Sequence, residues 1–142
     1  MAVADESLSL LIGRAAKSLS RALDDVLVAA GGSTPTWQVL LALQSGDHRT
    51  LGDLADAVGI RQPTLTHHLG ALERAGLITR EAADGNRRVQ NVTVTEAGDA
   101  LFRRLRRAAA SFDGRLRAGL GDGDIGELRR LLEQLAENAQ PD

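Results

Sequence analysis

Apolar positions recur at spacings of three and four between residues 7 and 29: Leu8, Leu11, Ala15, Leu19, Leu23, Val26 and Leu27. That period predicts an amphipathic helix, closed by Gly31-Gly32. Ser33-Thr34-Pro35 opens a second helix that runs to about Ser45, with Val39, Leu40 and Leu43 apolar and Gly46 as its stop. Thr50 suits the N-cap of a third helix, Leu51 to Val58, because its hydroxyl can accept a bond from an orphan amide. Gly59 suits a left-handed C-terminal position. A fourth helix begins at Pro63, whose missing N–H would be unbonded there anyway. It continues to about Ala75, and Gly76 closes it.

The period then changes. Leu77-Ile78-Thr79-Arg80 is short and extended, and Val89, Val92 and Val94 alternate with polar residues as in a strand. Asp84-Gly85-Asn86 between them is a turn signal. A β-hairpin is therefore inserted in a helical chain. A long helix follows from Glu96 to about Ala118, and GLGDGD breaks it. The last helix carries Ile125, Leu128, Leu132 and Leu135, with Asp122 as its cap. There is no internal repeat, low-complexity segment or dividing linker. The expectation is one domain over residues 1–142, mainly α with a small β-wing. A winged helix-turn-helix lobe at 34–95 is flanked by N- and C-terminal dimerisation helices at 7–30 and 96–139.

Composition sharpens this picture in three places. The 142 residues are 43% hydrophobic and 25% charged, as in a soluble globular domain. Cysteine is absent, which removes disulfides, thiolate metal sites, a cysteine nucleophile and any thiol-based oxidant switch. Aromatic residues are 2%, namely Trp37, Phe102 and Phe112, too few for a platform that stacks single-stranded bases. No apolar run is long enough to span a bilayer and MAVADESLSLL lacks a basic leader, so a cytoplasmic location is expected.

The net charge is −2, which taken whole is not the footprint of a nucleic-acid binder. The distribution says otherwise. Arg61, Arg74, Arg80, Arg87 and Arg88 stand in one segment against Glu73, Glu81 and Asp84, while Asp5, Glu6, Asp24, Asp25 and the stretch from Asp122 onward hold acid elsewhere.

That basic segment has the helix-turn-helix pattern. In LGDLADAVGIRQPTLTHHL, Ala55 is small where two helices approach, Gly59 takes the tight turn, and Leu54, Val58, Ile60, Leu65 and Leu69 supply the apolar wedge. The second helix of such a unit can enter the major groove. At ~100° per residue, Leu65, Leu69 and Leu72 share the inward face. Pro63, Thr64, His67, Gly70, Ala71 and Arg74 lie broadly opposite, with Thr66 and His68 at the margins. The hairpin tip adds Arg87 and Arg88, long cations able to reach phosphates or a narrow minor groove.

The adjacent His67 and His68 invite a metal or catalytic reading. Only His48 and nearby carboxylates could join them, and neighbouring helical side chains diverge by ~100°, so neither metal nor cofactor is expected. No nucleophile or base constellation accompanies them. Contact with DNA through His67 is the reading that the outward face supports. The basic run RRLRR at 103–107, with Arg115 and Arg117, reads as a solvated face that pairs with acidic residues of a neighbouring helix. An anionic effector there is the alternative.

The stretches TPTWQVLLAL (34–43), TLGDLADAVGIRQPTLTHHLGALERAGLITR (50–80) and DGNRRVQNVTVTEAGDAL (84–101) resemble the MarR family of winged-helix transcription regulators. They cover about half of the chain. The resemblance implies a homodimer on a palindromic DNA site, usually a repressor controlled by a ligand or oxidant. Counted back from Val94-Thr95, Asn86 falls where the family has an Asp in the wing, and Arg88 falls on the wing arginine. The family position of His67 is often Arg, so this chain lacks a permanent charge there.

The expected function is sequence-specific binding of double-stranded DNA by a homodimeric repressor, released by a small-molecule effector whose site no residue marks. Thr64, Thr66, His67 and Gln62 would read base edges. Arg61, Arg74 and Thr50 would hold phosphates, and Arg87 and Arg88 would reach the minor groove or its backbone. The rival is a winged-helix dimerisation or protein-interaction module that leaves DNA alone. An enzyme is not expected, because no Gly-rich cofactor loop is present.

Overall fold

The computed structural model describes residues 7–46, 50–83 and 86–141, with side chains described outside 82–90. Eight elements follow in order: α1 (Leu8–Ala29), α2 (Thr34–Ser45), α3 (Leu51–Val58), α4 (Gln62–Arg74), β1 (Ile78–Ala83), β2 (Asn86–Val94), α5 (Glu96–Leu116) and α6 (Asp122–Asn138). They divide into two compact units, Met1–Ala109 and Ala110–Asp142.

The first unit holds the core. Leu27 of α1, Val39 and Leu40 of α2, Leu54 and Ala55 of α3, Leu65, Leu69 and Leu72 of α4, Ile78 of β1, and Leu101, Phe102 and Leu105 of α5 form one buried cluster. Trp37 stacks on Phe102 with ring centroids 5.4 Å apart and planes 19° from parallel. Two of the three aromatic residues thus fasten α2 to α5.

Local chemistry explains the helix starts. Ser33 is extended and its hydroxyl accepts from the Thr36 amide, at 3.2 Å. A second tie comes from ten residues away. The Asp24 carboxylate of α1 accepts from the Thr34 amide at 2.9 Å and from the Thr34 hydroxyl at 3.0 Å. An acid at a helix N-terminus is also favoured by the helix dipole. Thr50 caps α3 as its sequence suggests, accepting from the Asp53 amide at 3.0 Å.

Some boundaries move. α4 begins at Gln62, so Pro63 takes the second helical position, where its missing amide is still an orphan. Gly121, not Asp122, caps α6. Its amide donates to the Asp124 carboxylate at 2.9 Å, which leaves Asp122 as the first helical residue. α5 stops at Leu116, before the expected Ala118. The hairpin is longer than valine alternation suggests. β1 pairs antiparallel with β2 from Ile78↔Val94 to Ala82↔Gln90, with an irregularity between Ala82 and Ala83. The expected turn residues Asp84 and Gly85 lie outside the described residues.

The junction from wing to α5 is tight. Thr95 donates through its hydroxyl to the Gly76 carbonyl at 2.6 Å, its amide donates to the Leu77 carbonyl at 3.0 Å, and its hydroxyl accepts from the Gly98 amide at 3.1 Å. A Cβ at position 98 would collide with the Leu77 carbonyl oxygen and stand 2.8 Å from Val94 Cγ1. Only glycine permits that approach.

In the second unit, the Arg115 guanidinium lies 5.4 Å from the centre of the Phe112 ring. No residue of α6 is buried; Leu128, Leu131 and Leu132 are 50%, 44% and 44% exposed. Arg130 pairs with Glu127 at 2.7 Å, and this hydrogen bond holds the Glu127 carboxyl below its ordinary range. Among the described residues, Arg103 of α5 pairs with Asp99 one turn before it, and Arg117, just past the end of α5, pairs with Asp113, so the acidic partners expected on a neighbouring helix are found instead within the same stretch of chain. Among the described residues no single helix is long and apolar enough to cross a membrane.

Candidate nucleic-acid interface

The site is set by the turn between α3 and α4. Gly59 has φ +80°, and both its amide and that of Ile60 donate to the Ala55 carbonyl, at 2.8 and 3.0 Å. A left-handed residue costs a side chain dearly and glycine little, so the chain reverses there and α4 sets off across α3. Ala55 is 2% exposed at the crossing, where a larger side chain would hold the two helices apart.

α4 is anchored along one edge. Leu65 and Leu69 are fully buried and Leu72 is 4% exposed. At ~100° per residue this turns Pro63, Thr64, His67, Ala71 and Arg74 outward, and all five are exposed. Thr66 is exposed and His68 half-buried, as margins of that face. The two histidine rings are 5.9 Å apart and tilted by 59°. Among the described residues no group of three or more His, Cys, Asp or Glu is placed to hold a metal ion. The outward face is small and polar, a shape that can lie against a groove floor without steric conflict.

Around that face the expected contact residues fall into three places. At the N-terminal end, Arg61 is the exposed N-cap of α4, and its guanidinium, which has no acceptor for the orphan amides, makes no capping bond. Gln62 folds back over α3: a methyl on Gly52 would sit 3.1 Å from Gln62 Nε2 and 3.6 Å from Thr50 Oγ1. Thr50 and Gln62 are thereby neighbours across the turn. The Thr50 hydroxyl accepts the capping bond, which leaves its proton for an outside acceptor. In the middle stand Thr64, Thr66 and His67.

At the C-terminal end, Arg74 is joined near Gly70 by a residue that the sequence does not single out for DNA contact. Arg80 of β1 comes back over α4 and pairs with Glu73, Nη2 to Oε1, at 3.4 Å. Strand alternation places Arg80 on the same side as the buried Ile78, so its stem runs against the helix before the guanidinium emerges, 21% exposed. The signal available in the sequence was Gly70, a glycine inside a helix, where glycine is unfavourable. Arg87 and Arg88 belong to β2 by backbone, and their side chains lie outside the described residues, as does His48.

Among the described residues, two shallow cavities adjoin the lobe. One of about 290 Å³ lies between α2 and α3, lined by Gln38, Leu41, Ala42, Ser45, Ala57 and Val58. The other, about 470 Å³, is formed by Leu43, Gln44, the end of β2 and the start of α5 with Glu96 and Asp99.

Comparison with known proteins agrees with this architecture. A family profile described as a helix-turn-helix domain matches residues 38–81, which run from α2 into β1. Among solved structures, the transcriptional regulator PA3341 is 28% identical with a TM-score of 0.78, over 93% of this chain and 97% of that one. The transcriptional repressor CouR, solved bound to a 23-mer DNA duplex, is 25% identical with a TM-score of 0.82, over 92% of each chain. A MarR-family transcriptional regulator from Silicibacter pomeroyi is 25% identical with a TM-score of 0.73, over 100% of this chain and 99% of that one. With its helix-turn-helix, its two-stranded wing and its flanking helices, the chain has the winged helix-turn-helix fold and is similar over nearly its whole length to solved transcriptional regulators, one of them of the MarR family.

Proposed function

We propose that this protein is a transcriptional regulator that binds double-stranded DNA as a homodimer on a palindromic operator and acts as a repressor. The observation that carries the reading is the outward face of α4. Three buried leucines hold the helix in place, and the opposite side presents Thr64, Thr66 and His67 with no bulky apolar group. Gln62 joins them for base edges. Arg61, Arg74 and the Thr50 hydroxyl serve phosphates, and Arg87 and Arg88 of the wing serve the minor groove or its backbone. The likeness to CouR, a repressor solved on a DNA duplex, supports the same partner.

The exposed apolar residues of the terminal helices support dimerisation. Leu8, Leu10, Leu11 and Leu19 of α1, and Leu128, Leu131 and Leu132 of α6, are all 44% exposed or more. Such rows are costly in water and are covered in a dimer. Release by a small molecule belongs to the same proposal. The cavity between α2 and α3 touches Val58, the last residue before the Gly59 turn, so an occupant there would bear on the angle of α4.

The test is a mobility shift on the protein's own upstream region across a salt series. Binding should weaken steeply with salt, and a scrambled duplex should compete poorly. Absence of salt-sensitive binding to any duplex would leave the protein-interaction module as the better reading.

A further inference from the structure

Gly70 lies in the middle of α4, on its outward side, and two guanidinium groups flank it. A Cβ built there would stand 3.3 Å from Arg74 Nη1 and 4.0 Å from Arg80 Nη2. Arg74 comes from one helical turn later and Arg80 from the strand beyond the Gly76 turn, so two different elements deliver cations to one point on bare helix backbone. Among the described residues the one carboxylate paired with either guanidinium is Glu73, 43% exposed, 3.4 Å from Arg80. Among the described residues Arg74 has no ion pair. The cluster therefore keeps a net positive charge. Its one internal pair is long and open to solvent, and such pairs add little to stability. The fold does not depend on it.

We propose that Arg74 and Arg80 form a phosphate clamp that seats the C-terminal half of α4 on the duplex backbone, and that Glu73 is a built-in competitor for Arg80. This rests on the DNA-binding reading above. A phosphate oxygen entering over Gly70 meets two guanidinium groups, each able to donate paired hydrogen bonds to an oxyanion. To gain the second, it must displace the Glu73 carboxylate from Arg80. Glu73 thus lowers affinity for every duplex alike. Gly70 is needed because a side chain at that position would occupy the place of the anion. The clamp carries no base information: it sets position and affinity, while the threonines and His67 toward the N-terminal end meet base edges.

The full-length protein is titrated, by fluorescence anisotropy over a salt series, onto a labelled duplex from its own upstream region and onto a scrambled duplex of equal length. Arg80→Gln should weaken both complexes by the same factor, roughly tenfold, and reduce the magnitude of the salt slope by about 0.9 for each chain bound. Glu73→Gln should tighten both roughly threefold, a gain that misfolding cannot produce. In the Arg80→Gln background most of that gain should disappear, because the two residues are coupled. An unchanged salt slope in Arg80→Gln, or an undiminished Glu73→Gln gain in the double variant, overturns the clamp while leaving DNA binding intact. Failure of the wild type to bind either duplex in a salt-sensitive way overturns the DNA-binding reading and the clamp with it.

Discussion

His67 stands outward on α4 between Thr64 and Ala71, and all three are exposed. On the proposed reading surface its imidazole nitrogens can meet a base edge. In an anisotropy titration at fixed salt, His67→Ala should weaken binding to the operator roughly tenfold and binding to a scrambled duplex far less. Equal losses on the two duplexes would remove His67 from base contact. Residue roles of this kind were legible in the sequence where both partners lie within one helical turn. Thr50 and the Asp53 amide are three apart, and Gly59 takes its left-handed turn beside Ala55. They were not legible where the partners meet only through the fold. Asp24 reads as surface acid until α2 is folded back to put Thr34 beside it. Arg80 reads as one more basic residue until the Gly76 turn brings β1 against Glu73.

Among the elements, α4 was the easiest to place, because Leu65, Leu69 and Leu72 mark its inner edge and Pro63 and Gly76 mark its ends. The hairpin was harder. Ala82 and Ala83 have no strand preference of their own, and they extend β1 because β2 offers them partners. The start of α6 was misplaced by one residue because Asp124, rather than Asp122, reaches back to the chain before the helix. The element most open to a single substitution is the start of α5. Gly98→Ala drives a methyl group into the Leu77 carbonyl, a rigid backbone atom on the strand side of the same junction. Overpacking of this kind costs about 1–3 kcal/mol and occasionally more. Chemical denaturation should show a loss at the upper end of that range, although alanine is otherwise the better helix former. A variant as stable as the parent would mean that α5 and the wing separate more easily than Thr95 and its three hydrogen bonds suggest.

For the whole molecule, the proposed dimer rests on the exposed apolar rows of α1 and α6. Leucines at positions 128 and 132 lie one helical turn apart, and burying a leucine is worth about 1.5–3 kcal/mol. Replacing both with glutamate should convert the dimer to monomer in light scattering, with α4 and its leucine anchors unchanged. DNA affinity should then fall by far more than a surface charge change explains, because one reading helix covers only half of a palindromic site. A double variant that remains dimeric would place the interface elsewhere. The stack of Trp37 on Phe102 has a practical consequence at this same scale. The chain contains one tryptophan and no tyrosine, so its near-ultraviolet emission comes from a single indole, seated where α2 meets α5 and next in sequence to Gln38 of the cavity between α2 and α3. The protein carries its own optical probe: without any label, the colour and intensity of that emission follow the joint between the reading lobe and the long helix.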